Sequence, residues 1–271
     1  MQLGIGSYTY TWAIGVPGYP GKGKGLTALE LIDKAAEHNI KVVQICDNLP
    51  LINLSGEELQ TIKSKAGEYG IAIEAGTRGI EPEHIKRYLE IAGFLDAKLL
   101  RTILHKDGGK LSVREAVASI RNIIPELERT NIRLAIENHE RHAAKELKEI
   151  ITQINHEQVG ICLDTVNSFG AMEGPDQVMD ELLPHMINLH YKDFIINRAG
   201  HNLGFEITGR PAGQGMLPAD RLKRHLEHMS EDISIILELW TPYTNTVEET
   251  ALLENQWAKE SINYLKEWIR G

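Results

Sequence analysis

Four residues that can bind a metal ion or carry a proton each end a short apolar run in the second half of the chain. These residues and their runs are Glu137 after Ile132–Ile136, Asp164 after Gly160–Leu163, His190 after Met186–Leu189 and Glu238 after Ile233–Leu237. Apolar runs of this length are typical of buried strands. Carboxylates and an imidazole at the ends of consecutive strands predict one shared site for a cation or for acid–base chemistry.

Side chains alternate between the two faces of a strand, so the neighbours of these residues indicate which way they point. In all four runs the smaller or more polar side chains share the face of the chemical residue, and the bulky aliphatic side chains occupy the other face. In a barrel of parallel strands the bulky face meets the helices and the other face points to the barrel axis. We therefore expect Glu137, Asp164, His190 and Glu238 to point inward at the C-terminal rim.

Strand-like runs alternate with amphipathic segments eight times along the 271 residues. This rhythm predicts a (β/α)8 TIM barrel with eight parallel strands, in which residues 1–271 form one domain and a helix over about 247–268 closes the chain. An open doubly wound sheet is the alternative. That fold usually has a glycine-rich phosphate loop after its first strand, whereas Ser7–Trp12 here contains no glycine.

Local patterns give the boundaries of several elements. Ser55 with Glu58 and Ser112 with Glu115 have the spacing of capping boxes, and the second pair predicts a helix from 112 to about 129. Between the seventh strand and the helix that starts at Pro218, the composition predicts a long polar loop over about 194–217.

Three carboxylates and an imidazole at one rim need a compensating charge, because like charges close together oppose ionisation. A divalent cation supplies that charge, and an oxygen-rich set with one nitrogen suits Mn²⁺ first, with Mg²⁺, Co²⁺ or Zn²⁺ as alternatives. The predicted ligands are Glu137, Asp164, His190 and Glu238, and the two glutamates are also the predicted catalytic acid and base. The competing interpretation is four separate ion pairs at a polar rim.

Bulk properties narrow the class of partner. The net charge is −9 and the longest basic cluster is Arg221–Arg224, which disfavours nucleic acid and favours a small molecule. The absence of an apolar run of about 18 residues disfavours a membrane span. The N-terminus lacks a signal-peptide pattern, and Cys46 and Cys162 lie inside strand-like runs, so we expect a cytoplasmic protein. The closing helix and the polar loop could cover a contact in a homo-oligomer.

Further candidates for substrate binding lie near the predicted rim. Arg101 and His105, at and after the fourth strand, could hold a carboxylate or phosphate, although Arg101 could instead pair with Glu74. His139 and Lys192 lie two residues beyond Glu137 and His190, and Lys192 could neutralise an acidic substrate. Aromatic residues after the first strand, Tyr8 and Trp12, could form a wall over a sugar ring.

The set of Glu137, Asp164, His190 and Glu238 resembles the xylose isomerase-like TIM-barrel superfamily of sugar phosphate isomerases and epimerases, which also includes endonuclease IV (AP endonuclease family 2). The stretches His190–Asp193 and Arg210–Gly215 are similar to family motifs, the second to a loop of ketose 3-epimerases. The resemblance places Asn167 and Arg210 at the substrate. Those epimerases have a histidine at the position of Asn167, and asparagine can hydrogen-bond a hydroxyl but cannot carry a proton.

The resemblance implies a metal-dependent isomerase or epimerase that acts through an enediolate on a small ketose, aldose or oxo-polyol. The alternative is a lyase that uses the same site, either a decarboxylase of a 3-oxo sugar acid, such as 3-oxo-isoapionate decarboxylase, or an inosose-type dehydratase. A sugar-binding barrel without turnover is a third hypothesis.

Overall fold

A computed structural model describes residues 1–22, 24–229 and 233–270 of the chain. Within these ranges the strands are β1 (Gln2–Gly6), β2 (Val42–Ile45), β3 (Ala72–Arg78), β4 (Leu99–Ile103), β5 (Arg133–Glu137), β6 (Val159–Asp164), β7 (Met186–Tyr191), β8 (Asp193–Arg198), β9 (Phe205–Arg210) and β10 (Ser234–Leu237). Eight of them form a closed parallel barrel in the order β1, β2, β3, β4, β5, β6, β7, β10. The predicted (β/α)8 barrel is confirmed.

Helices follow the barrel strands on the outside of the sheet. They are α1 (Thr11–Ile14), α2 (Ala28–Glu37), α3 (Gly56–Tyr69), α4 (Pro82–Phe94), α5 (Val113–Arg121), α6 (Ile124–Thr130), α7 (Ala144–Ile154), α8 (Pro175–Leu182), α9 (Ala219–Leu226) and α10 (Val247–Arg270). Short 3-10 segments occupy Ser7–Tyr10, Leu51–Asn53, Asn167–Ala171 and Leu183–His185. None of the helices in the described ranges combines the length and the apolar character needed to cross a membrane.

Strand register determines which side chains meet at the rim. β10 closes the barrel between β1 and β7, with Gln2 opposite Ser234. Along the other side, Glu137 of β5 is opposite Cys162 of β6, and Asp164 of β6 is opposite His190 of β7. Because parallel strands end at the same edge, Glu137, Asp164 and His190 all lie near the C-terminal rim of the barrel.

The main core lies between the barrel and the helices, where the bulky aliphatic faces of the strands pack. Leu134, Ile136, Leu189 and Ile235 in this layer are fully buried. A second, small apolar cluster of Leu99, Ala135 and Cys162 is separate from it. The burial of both strand faces explains why these strands read as nearly continuous apolar runs.

The predicted capping boxes at Ser55 and Ser112 are both present. The prediction of a single helix from 112 to about 129 is wrong. This segment is divided into α5 and α6, and Pro125 lies in the first turn of α6. Proline has no N–H for the hydrogen bond that would continue α5, so the chain starts a new helix there.

The polar loop predicted over about 194–217 is also wrong in part, because residues 193–210 form an antiparallel hairpin of β8 and β9. Asn202 and Gly204 have positive φ values of 61° and 111° in its turn. The hairpin folds back onto the barrel so closely that a Cβ at Gly209 would meet the Trp240 carbonyl oxygen at 2.0 Å. Glycine at this position therefore lets the hairpin form one wall of the rim cavity.

Candidate metal and substrate site

The side chains of Glu137, Asp164, His190 and Glu238 converge at the C-terminal rim of the barrel. From His190 Nδ1, the distances are 3.1 Å to Glu238 Oε1, 3.3 Å to Glu137 Oε2 and 4.0 Å to Asp164 Oδ2. All four residues are at most 1% exposed. Asp164, His190 and Glu238 form one candidate group of metal ligands in the described chain, since their ligand atoms lie within 4.8 Å of one another.

The polar atoms that face this centre fit a cation. His190 Nδ1 and Glu238 Oε1 are buried and have no hydrogen-bond partner among the described residues. Asp164 Oδ2 also lacks a hydrogen bond, although it forms an ion pair with Lys192 Nζ at 2.8 Å. Buried acceptors that lack a donor are costly, and a bound divalent cation would satisfy all three at once.

Glu137 is held at both carboxylate oxygens. Arg101 Nε donates to Oε2 in a short hydrogen bond, and Asn167 Nδ2 donates to Oε1 at 2.6 Å. Burial acts to raise the pKa of Glu137, but the charges of Arg101, His190 and Lys192 lower it to about 2. The group is therefore a carboxylate near neutral pH, which suits a metal ligand better than a proton donor.

Lys192 lies between two of the carboxylates. Its Nζ is 2.8 Å from both Asp164 Oδ2 and Glu238 Oε2. Burial acts to lower the pKa of Lys192, but Asp164, Glu238 and Glu137 raise it above the usual range. The side chain therefore contributes a fixed positive charge to the edge of the centre.

A polar network below the centre determines the orientation of the His190 ring. Gln44 Nε2 donates to Glu74 Oε2 at 3.0 Å and to Asn188 Oδ1 at 3.2 Å, so Gln44 Oε1 faces His190 Nε2 at 2.7 Å. An amide oxygen can only accept, so His190 Nε2 must carry a hydrogen. In the neutral ring the lone pair is then on Nδ1, which faces the carboxylates.

Cys162 lies near Glu137 and His190 and forms a second candidate ligand group with them. Burial raises the pKa of its thiol well above the ordinary value, and Sγ donates a hydrogen bond to Asn188 Oδ1 at 3.1 Å. Since a metal ligand must be a thiolate, Cys162 is a weaker candidate than the carboxylates. It packs instead with the small apolar cluster.

A cavity of about 550 Å³ opens above the centre and is lined by residues that include Glu137, Glu238 and Lys192. Aromatic residues form one wall, where the rings of Trp12 and Tyr243 are 5.3 Å apart. Trp12 Nε1 donates to the Thr241 carbonyl at 2.8 Å. The volume is in the range of small-molecule sites.

The other predicted substrate residues divide into two groups. Tyr8, Trp12, Arg101, His139, Asn167 and Lys192 line the cavity, whereas His105 and Arg210 are not among its described lining residues. His105 is in the loop beyond β4 and pairs with the exposed Asp107 at 3.2 Å. Arg210 ends β9, and its Nη1 hydrogen bond goes to the carbonyl of the preceding residue. His139 pairs with Glu140 at the rim.

The structure adds Asp47 and Arg78, which the sequence interpretation missed. Asp47 Oδ1 accepts from Arg101 Nη1 at 3.0 Å, and Asp47 Oδ2 accepts from Arg78 Nε at 3.2 Å. The alternative pair of Arg101 with Glu74 does not form, because Arg101 is opposite Gly76 and Glu74 lies one layer lower. Asp47 follows β2 and Arg78 ends β3, so the strand-end criterion applied to β5, β6, β7 and β10 could have found both.

Comparisons with known proteins agree with this architecture. The family model described as xylose isomerase-like TIM barrel matches residues 32–268. The 3-oxo-isoapionate decarboxylase of Pectobacterium atrosepticum is 34% identical over 267 residues, which cover 98% of this chain and 95% of that protein. The described residues of this chain thus include candidate metal-ligand groups, and the chain is similar over nearly its whole length to a protein that is named as an enzyme.

Two solved structures share the fold at low identity. A D-psicose 3-epimerase in the presence of D-fructose has a TM-score of 0.72 at 17% identity, with 100% of both chains covered. The IOLI protein with a binding zinc atom has a TM-score of 0.67 at 16% identity, with 97% of this chain and 99% of that chain covered. Given a family match over most of its length and a relative at 34% identity over nearly all of it, this chain belongs to the xylose isomerase-like TIM barrel family.

Proposed function

We propose that the protein is a divalent-metal-dependent lyase that decarboxylates a small 3-oxo sugar acid. The observation that carries this proposal is the state of Glu137, whose two oxygens are bound by Arg101 and Asn167 and whose pKa is lowered to about 2. An isomerase or epimerase needs proton carriers that exchange a proton with the substrate. Decarboxylation does not require a base to remove a proton from carbon, and the relative of P. atrosepticum carries this activity in its name.

Glu137, Asp164, His190 and Glu238 would hold the metal ion. Bound there, a divalent cation would stabilise negative charge that develops on a substrate oxygen. Mn²⁺, Mg²⁺, Co²⁺ or Zn²⁺ is compatible with three carboxylates and one imidazole.

Residues of the protein hold charges in fixed positions around the site, where negative charge would develop on the substrate. Arg101 and Asn167 keep the Glu137 carboxylate ionised and fixed in orientation. Lys192 adds a positive charge beside Asp164 and Glu238. Fixed charges and dipoles of this kind stabilise a charged transition state without the cost of reorganising solvent.

The chemical step breaks the bond between the carboxylate carbon and the α-carbon of the substrate. The bonding electron pair moves through the α-carbon to the 3-oxo oxygen, and CO₂ leaves. The α-carbon then takes up one proton from solvent, which gives the ketone product. No external oxidant or reductant is needed.

The direct test is CO₂ release from 3-oxo-isoapionate and related 3-oxo sugar acids by the purified protein with Mn²⁺. We expect stoichiometric CO₂ and ketone, and we expect Asp164→Asn to release CO₂ at a rate at least about 100-fold lower. Retention of the carboxylate on every acid of the panel would contradict the proposal.

An isomerase or epimerase is the second candidate function. It is favoured by the presence of two glutamates at the centre, Glu137 and Glu238, whose nearest carboxylate oxygens lie 3.3 Å and 3.1 Å from His190 Nδ1. In that case Glu137→Gln and Glu238→Gln would each abolish exchange of the substrate α-hydrogen with deuterated water. Normal exchange in both variants would exclude this candidate.

A further inference from the structure

The charges at the site are nearly balanced before a metal binds. Three cations at the cavity wall, Arg78, Arg101 and Lys192, form ion pairs with four carboxylates, which are Asp47, Glu137, Asp164 and Glu238. A divalent cation would turn the formal excess of one negative charge into an excess of one positive charge. A ligand with a single negative charge would then restore neutrality, and a neutral sugar would not.

Arg101 and Lys192 are already committed to protein partners. Arg101 is 3% exposed and donates to Glu137, to Asp47 and to the Thr77 carbonyl. Lys192 lies between Asp164 and Glu238, as described above. Neither side chain can turn to a substrate without breaking its present contacts with two carboxylates.

Arg78 differs from both of them. It ends β3, lines the cavity and keeps 44% of its side chain exposed. Its described partner is Asp47, which contacts Nε at 3.2 Å, so no described hydrogen bond involves Nη1 or Nη2. Asp47 is itself held by Arg101 and by the Tyr8 hydroxyl at 3.2 Å, and this fixes the base of the Arg78 guanidinium.

We infer that Arg78 is the anion-binding residue of the cavity and that it holds the carboxylate of a small sugar acid at the rim. This inference rests on the proposed function and names the residue that gives preference for an acid over a neutral sugar. Two parallel N–H donors on a planar guanidinium match the two oxygens of a carboxylate. Asp47 acts as a positioning residue, since it contacts Arg78 and is not among the described residues that line the cavity.

The experiment measures binding without turnover. D-ribonate and ribitol, which differ in a carboxylate and a hydroxymethyl group, are titrated calorimetrically into the Mn²⁺-loaded wild type, Arg78→Gln and Arg78→Lys. We expect the wild type to bind D-ribonate at least about 10-fold more tightly than ribitol, and Arg78→Gln to lose that preference while its affinity for ribitol is unchanged. Arg78→Lys should recover part of the preference, because it restores charge but not the paired donors.

Arg87→Gln is the matched control, because Arg87 is an exposed arginine on the outer helix α4 and its removal changes the net charge equally. It should bind D-ribonate as the wild type does. The inference is overturned if the wild type shows no preference for D-ribonate, if Arg78→Gln keeps the preference, or if Arg87→Gln loses it equally. If the wild type releases no CO₂ but still prefers D-ribonate through Arg78, the proposed lyase activity is overturned and the anion site is retained.

Discussion

At the scale of single residues, Asn167 has a role that its spacing did not indicate. Its Nδ2 donates a hydrogen bond to Glu137 Oε1 at 2.6 Å. Its Oδ1 also accepts from Lys192 Nζ at 3.3 Å, so one amide links a carboxylate and a cation of the site. Asn167 thus orients Glu137 rather than moving a proton.

Replacing Asn167 by alanine should therefore lower kcat by about 10- to 100-fold, the usual effect of losing a residue that orients a metal ligand. The melting temperature should change little, because the side chain is only part-buried. Steady-state CO₂ release and thermal melts give both numbers. Asn197→Ala, at an exposed position of β8, serves as control, and an unchanged kcat in Asn167→Ala would refute the assigned role.

A second residue-scale prediction concerns Gln44, which accepts from His190 Nε2. Gln44→Leu has a similar volume but no acceptor, so the His190 ring loses the partner that directs Nδ1 toward the carboxylates. We expect Mn²⁺ affinity to fall by about 10- to 100-fold in a chelator competition. Gln60→Leu on the exposed side of α3 is the matched control. Equal affinities in the two variants would show that the tautomer is not set by Gln44.

At the scale of elements, the contact between α10 and α1 fixes the aromatic wall of the cavity. Glu254 of α10 is fully buried, and its two oxygens accept from the backbone N–H groups of Trp12 at 3.0 Å and Ala13 at 3.1 Å. Burial raises the pKa of Glu254 to about 8, and this effect outweighs the opposite effect of the backbone hydrogen bonds. The final helix thus positions Trp12 through an acid that titrates near neutral pH.

The raised pKa makes the stability of this contact depend on pH. Between the ordinary glutamate value of about 4.5 and the folded value of about 8, the folded state binds more protons than the unfolded state, so stability falls as pH rises. The quantity to follow is the free energy of unfolding of the wild type minus that of Glu254→Gln. This difference should decrease by up to about 3 kcal/mol from pH 5 to pH 8.

Urea unfolding at several pH values measures this difference, and subtracting the variant removes the contribution of the histidines that titrate in the same range. The stability of wild type minus that of Glu254→Gln should therefore become smaller as the pH rises from 5 to 8. Parallel curves would mean that Glu254 is ionised in the folded protein throughout this range.

At the scale of the whole molecule, the candidate metal site connects the C-terminal ends of β5, β6, β7 and β10. These strands form one half of a barrel whose closure depends on the pairing of β10 with β1 and β7. A ligand that binds only the folded state stabilises it by mass action. The cation should therefore stabilise the barrel as a unit rather than one loop of it.

Removal of metal by EDTA should lower the free energy of unfolding by about 2.7 kcal/mol relative to protein with metal at 100 times its Kd. Returning Mn²⁺ should restore the original melting temperature. Asp164→Asn, which lacks one ligand charge, should show a clearly smaller response to both treatments. A melting temperature that EDTA leaves unchanged in the wild type would contradict a bound structural or catalytic cation.

The sequence by itself determined the barrel and the identity of the rim residues on β5, β6, β7 and β10. Strand alternation has a fixed period, and parallel strands end at the same edge, so Glu137, Asp164, His190 and Glu238 could be assigned to the inner face of one rim without coordinates. The sequence did not predict features that depend on contacts between residues far apart in the chain. The pair of Arg101 with Glu137 depends on the register of β4 against β5, and the hairpin of β8 and β9 depends on its packing against Trp240.

Only the tertiary structure decided which charges remain available in the cavity. Arg101, Lys192 and Arg78 look equivalent as basic residues near strand ends, but their partners come from different strands. Arg101 and Lys192 are neutralised by buried carboxylates, whereas Arg78 keeps exposed donors because Asp47 occupies only its Nε. Burial and pairing depend on which strands are neighbours and how they are aligned, and this is the information that residue type and spacing do not contain.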